Sequence, residues 1–128
     1  MEVGMSRVLC DTNILIELYK GNEGIVRELH RIGNSNISIS VVTAGELLFG
    51  ARNKRELEIL RSDIAKVLCL HIDPAISSLA IELISHYALS HRLSLPDALI
   101  AATAIVNDVP LYTLNAKDFR FLKLKLYA

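Results

Sequence analysis

The sequence predicts an α/β domain whose short parallel sheet is flanked by helices on both faces, and three observations carry that expectation. Apolar runs of strand length alternate with segments of helical period, which is the rhythm of βαβ units. The chain has 128 residues, enough for one domain and too few for two cores. No repeat, low-complexity tract or linker interrupts it. Interleaved strands and helices of this kind produce a parallel sheet with both faces covered.

The elements follow in order. Val8 to Cys10 is a short apolar run and reads as the first strand, with helical patterns behind it at Ile14 to Tyr19 and Ile25 to Ile32. Ile37 to Ile39 gives the second strand, and the periodic segments Val41 to Ala51 and Glu56 to Ala65 give two further helices. Val67 to Ile72 gives the third strand, followed by a long helix over Ala75 to Ser90. Pro96 suits a first helical position, so Asp97 opens a helix that runs to Val106. Leu111 to Thr113 is the fourth strand, and Leu122 to Leu126 is expected to add a last one.

Composition removes several classes of function. Lys+Arg and Asp+Glu are both 14, so no overall cationic field draws nucleic acid or anionic membrane from a distance. The N-terminus lacks both a basic region and an apolar stretch, and no uncharged run, Ala98 to Asn107 included, is long enough to cross a bilayer. A soluble, cytoplasmic protein without a membrane segment is expected. Cys10 and Cys69 each end an apolar run with no C-x-x-C spacing, which fits reduced core thiols. Hydrophobic residues make up 52% of the chain, more than a small monomer can bury, so a homodimer or a protein partner is expected.

A parallel sheet carries its ligands outside the carboxyl ends of its strands. Asp11 follows the first strand, Thr43 and Glu46 lie in the first turns after the second, and Thr113 and Asn115 follow the fourth. Each acid also has an ordinary reading. Asp11 suits a helix cap, and Ser94-Leu95-Pro96-Asp97 has the spacing of a capping box. Asn115-Ala116-Lys117-Asp118 resembles a helix start as well. Glu46 is harder to explain by capping, because its neighbours three and four away, Val42, Thr43, Phe49 and Gly50, form a mostly apolar stripe. An unpaired carboxylate there turns to solvent or meets a cation.

Hard oxygen ligands with no His/Cys set point to Mg²⁺ or Mn²⁺. The histidines His30, His71, His86 and His91 have no ligand spacing and read as ordinary imidazoles. Arg52, Lys54, Arg55, Lys117, Arg120, Lys123 and Lys125 read as a solvated charged face, with phosphate contact as the alternative.

With these pieces in place, the sequence resembles the PIN-domain ribonucleases, in particular the VapC-type toxins of toxin–antitoxin pairs. The resemblance covers nearly the whole chain. It is carried by Val8-Leu9-Cys10-Asp11-Thr12-Asn13, by Val41-Val42-Thr43-Ala44-Gly45-Glu46-Leu47, by Ser94-Leu95-Pro96-Asp97-Ala98-Leu99-Ile100-Ala101-Ala102 and by Leu114-Asn115-Ala116-Lys117-Asp118-Phe119. It implies a single PIN domain over residues 5–128, with residues 1–4 as an N-terminal extension and Met5 as an alternative start. It implies a metal-dependent endoribonuclease, with RNA as substrate and an antitoxin as partner. Asp11, Glu46 and Asp97 become the metal-binding catalytic carboxylates, supported by Thr12, Asn13, Thr43 and Thr113. The fourth acidic position of the family falls on the neutral Asn115, which brings Asp118 into the site as its substitute. Two other readings are carried forward: a catalytically inactive PIN-shaped binding domain, and a receiver-like Mg²⁺-binding signalling module that would use Asp73 after the third strand.

Overall fold

The computed structural model describes residues 7–127, so the extension over residues 1–4 and Met5 lie outside the described residues. Its elements run β1 (Val8–Cys10), α1 (Thr12–Tyr19), α2 (Glu23–Ile32), β2 (Ile37–Ser40), α3 (Val41–Phe49), α4 (Lys54–Ile64), β3 (Leu68–Leu70), α5 (Pro74–His91), α6 (Leu95–Asn107) and β4 (Leu111–Tyr112). Short 3₁₀ turns at Asn34–Asn36 and Ala116–Asp118 complete the path. The strands form one parallel sheet in the order β3-β2-β1-β4.

Side chains alternate across a strand, and here the alternation divides the core in two. Leu9 and Leu111 enter one buried cluster with Ile76, Ala80, Ile100, Ala101 and Phe119, from α5, α6 and the C-terminal segment. Val8, Cys10 and Ile37 enter the other with Ile14, Ile25, Leu29 and Ile32, from α1 and α2. Both faces of the sheet are therefore covered, which is why β1 reads as an unbroken apolar run. Cys10 lies inside this packing, and burial pushes its thiol up to about 12, so it is inert as a nucleophile at neutral pH.

Helix starts obey their side chains. Asn22, Ser40, Asn53, Asp73 and Ser94 each accept a hydrogen bond from a backbone N–H in the first turn of α2, α3, α4, α5 and α6. The direct passage from β2 into α3 depends on one such cap, with Ser40 Oγ accepting from Thr43 N at 3.1 Å.

The sequence is corrected at its end. Leu122 to Leu126 forms no strand; only Leu126 makes an isolated parallel bridge to Leu111. The leucine alternation there comes from packing rather than pairing. Leu122 is buried, Leu124 and Leu126 pack against the same core, and a tight turn from Leu124 N to Leu122 O replaces a ladder bond.

Candidate active site

The order β2-β1-β4 places three strand ends side by side, with β1 in the middle. Asp11 sits at the end of β1, where its backbone N–H bonds Tyr112 O at 2.9 Å, and its side chain is 6% exposed. It does cap α1, accepting from Thr12 N at 2.8 Å through Oδ1. Its other oxygen is committed across the sheet: Oδ2 accepts from Thr113 Oγ1 at 2.8 Å and from Asn13 Nδ2 at 3.4 Å. Asn13 in turn accepts from Leu114 N at 3.2 Å, and Thr113 accepts from Asn115 N at 3.0 Å. Together Asn13 and Thr113 tie the loop after β4 to the first turn of α1.

Of the two courses open to a carboxylate on the α3 stripe, Glu46 takes the first and turns to solvent. The carboxylate is exposed, because the buried row of α3 is Thr43 and Leu47, and Phe49 stands 93% exposed. What holds Glu46 is Thr12, whose Oγ1 donates to Oε1 at 2.6 Å. Thr43 Oγ1 lies 2.9 Å from the same hydroxyl. One hydroxyl has one proton, and a carboxylate is the stronger acceptor, so Thr12 gives its proton to Glu46 and Thr43 donates back to Thr12.

Asp97 lies in the first turn of α6, half-buried. The cap there is Ser94 Oγ, which accepts from Asp97 N at 3.3 Å, so the capping bond is made by the backbone of Asp97, and a hydrogen bond from Ser94 acts on the carboxyl as well, holding it down against the burial that raises it. Asp118 is exposed at the end of the 3₁₀ turn. Asn115 precedes that turn, but its side chain makes no capping bond, which removes the helix-cap reading for it.

These groups share one field. Burial raises the Asp11 carboxyl above its ordinary value, and repulsion from Glu46 and Asp118 adds to it, against hydrogen bonds from Thr113 and Thr12 that lower it. Burial likewise raises Asp97, with repulsion from Asp11, Asp118 and Glu46 in support. None of the ion pairs among the described residues involves any of the four acids. Among the described residues, no group of three or more His, Cys, Asp or Glu side chains is drawn together closely enough to hold a metal ion. An open set of carboxylate, hydroxyl and amide oxygens fits a hydrated Mg²⁺ or Mn²⁺, which keeps several waters, and does not fit zinc. The receiver-like reading loses its second acid: Asp73 caps α5, accepting from Ile76 N at 2.8 Å.

Comparisons with known proteins give the family. The model of the PIN domain matches residues 8–125. Ribonuclease VapC1 of Methanocaldococcus jannaschii is 30% identical over 132 aligned positions, covering 99% of this chain and 91% of that protein. The chain belongs to the PIN-domain VapC ribonucleases. Ribonuclease VapC19 of Mycobacterium tuberculosis is 33% identical, over 87% of this chain and 90% of its own. Among solved structures, a toxin-antitoxin complex from Klebsiella pneumoniae superposes with a TM-score of 0.78 at 30% identity, covering 91% of this chain and 92% of that one. In this VapC-family chain no helix among the described residues is long and apolar enough to cross a membrane.

The raised carboxyls carry a stability consequence. A folded Asp97 that holds its proton to higher pH than the unfolded chain makes the native state the better proton binder, so stability falls as pH rises above the ordinary Asp value of 3.8. Below that value both states are protonated and the penalty vanishes. In metal-free protein, Asp97→Asn is therefore expected to raise the melting temperature by a few degrees at about pH 7, a modest gain because the side chain is half-exposed. The gain should disappear near about pH 3. Equal melting of the two proteins at both pH values would remove the electrostatic account.

Proposed function

We propose that this VapC-family ribonuclease hydrolyses RNA in the cytoplasm with Mg²⁺ or Mn²⁺, and that Asp11, Glu46 and Asp97 are the carboxylates that hold the cation. The observation carrying this is the field itself: Asp11 and Asp97 are raised by burial and by neighbouring acids, with no ion pair to offset them among the described residues. A site in which acids destabilise one another is poised for a divalent ion. Bound there, such an ion supplies charge for the scissile phosphate and acidity for the attacking water.

The chain's own residues orient the donors. Thr113 and Asn13 hold one oxygen of Asp11, and the Thr43–Thr12 relay ties Glu46 to the first turn of α1. Asp97 contributes a carboxylate without surrendering a cap. Asn115 offers an amide oxygen in place of a fourth acid, and Asp118 supplies the missing charge nearby. By likeness to the toxin-antitoxin complex, we assign an antitoxin as partner. Its seat is an apolar groove of about 390 Å³ lined by Leu15, Leu18, Val26, Leu29, Ile39 and Leu47. The homodimer is assigned to α5, which exposes Ile81 and Leu89.

EDTA is expected to stop cleavage of single-stranded RNA, and Mg²⁺ or Mn²⁺ to restore it. Undiminished cleavage in EDTA would sink the proposal, and RNA binding without cleavage under any divalent ion would favour the inactive-domain reading. Within the site, Asn115→Asp should lower the Mg²⁺ concentration for half-maximal cleavage, because it adds the charge an amide lacks. Asp118→Ala should then harm the parent more than the Asn115→Asp variant, a non-additivity read from the four-protein cycle. Additive effects would take Asn115 out of the site.

A further inference from the structure

Three aromatic rings stand together where the end of α5 meets the C-terminal segment, and the metal-dependent mechanism uses none of them. The His91 imidazole lies on the Phe121 ring with centroids 3.9 Å apart and planes 18° from parallel. Tyr87 supports both, at 4.9 Å from Phe121 and edge-on at 5.7 Å from His91. Tyr87 and Phe121 are partly buried against the core, whereas His91 is exposed, so the stack has a fixed base and a wet top. Ser90 Oγ is hydrogen-bonded to His91 Nδ1 at 2.8 Å and fixes the ring by its edge. A histidine closing a helix gains from the dipole by charge alone. That leaves the flat, immobilised ring unexplained.

The stack's position in the chain connects it to the site. Phe121 is three residues beyond Asp118, a reach of at most about 11 Å. His91 is three residues before Ser94, the cap of α6, and the first turn to Asp97 adds only about 5 Å. At a stacked rise of roughly 3.4 Å per nucleotide, a strand covers a reach of that size in at most about three nucleotides. Arg92 adjoins His91 and Arg120 adjoins Phe121; both are exposed, and neither takes part in an ion pair among the described residues. An aromatic top with arginines beside it suits a base and its phosphates.

We propose that the exposed face of His91, backed by Phe121, is a stacking platform for one RNA base a few nucleotides from the cleaved bond. The proposal rests on the ribonuclease reading above and adds a binding subsite to it. Because aromatic stacking tolerates any base, the platform would place the strand rather than read its sequence.

The test uses the full chain with Mg²⁺ and a short mixed-sequence single-stranded RNA, in a series that carries one abasic nucleotide at each position in turn. His91→Ala is expected to raise KM by about ten- to hundredfold with kcat retained, the scale of losing one base–aromatic stack. His91→Trp should keep the parent KM. At one position the abasic nucleotide should weaken the parent and leave His91→Ala unaffected. An unchanged KM in His91→Ala would overturn the platform. So would a His91→Trp variant as poor as alanine with a shifted pH profile, which would make the imidazole a proton carrier. Should His91→Ala lose its fold, the tryptophan variant and the abasic series on the parent still decide. Failure of the parent to cleave any of these RNAs would instead sink the nuclease reading. Anisotropy with the same abasic series would then judge the platform by binding.

Discussion

Asp97→Asn is expected to lower RNA cleavage by about 10²- to 10³-fold, the scale of removing one preorganised electrostatic group from a reaction centre. The fold should survive, because the α6 cap runs from the Asp97 backbone N–H to Ser94 and does not involve the carboxylate. The variant differs from its parent by one charge at nearly constant size. It should therefore show an unusual pair of results: lost activity, together with the higher melting temperature argued above for metal-free protein. Adding Mg²⁺ should reverse the order, stabilising the parent by mass action and the variant much less. Single-turnover cleavage and melting curves with and without Mg²⁺ measure both. An Asp97→Asn protein with parental cleavage would leave Asp97 as no more than part of a helix start.

Phe119→Ala is expected to cost about 3–5 kcal/mol of stability, the range for deleting a fully enclosed aromatic side chain. Phe119 is 1% exposed and belongs to the cluster built by α5, α6 and β4. Its backbone also closes the 3₁₀ turn, donating to Ala116 O at 3.0 Å, with Asp118 on one side and the Phe121 stack on the other. Melting should fall by roughly 10 °C at this chain length. Urea titration should show a lower midpoint at unchanged slope. A loss under about 1 kcal/mol would mean the ring is packed far less tightly than its burial implies.

The order of strands and helices was legible because a strand buried on both faces leaves an unbroken apolar signature, as at Val8–Cys10. Where that signature came from leucines packing on a bent segment, at Leu122 to Leu126, it misled. Asp11 after β1 and Glu46 in the helix after β2 were legible from the order of strands and helices, and Asp97 from the helix start behind Pro96. The reason for Glu46 was not, since its stripe on α3 is partly solvent-facing and its real anchor, Thr12, is 34 residues away. Separation in sequence likewise hides Phe121 behind His91, whereas Thr113 was legible as a hydroxyl after the fourth strand. Patterns within one element expose its buried face, but not the polar or aromatic partner that a distant element brings to it.

The central place of β1 has a consequence for where the site is rigid. Asp11 hangs from a strand paired on both sides, its own amide locked to Tyr112 and that of Leu9 to Pro110. Amides of this kind exchange with solvent deuterium only when the whole domain opens. Glu46 and Asp118 are carried instead by a nine-residue helix and a three-residue turn, which open locally at far lower free energy. One carboxylate is thus as persistent as the fold, and the acids around it are free to adjust to whatever it holds.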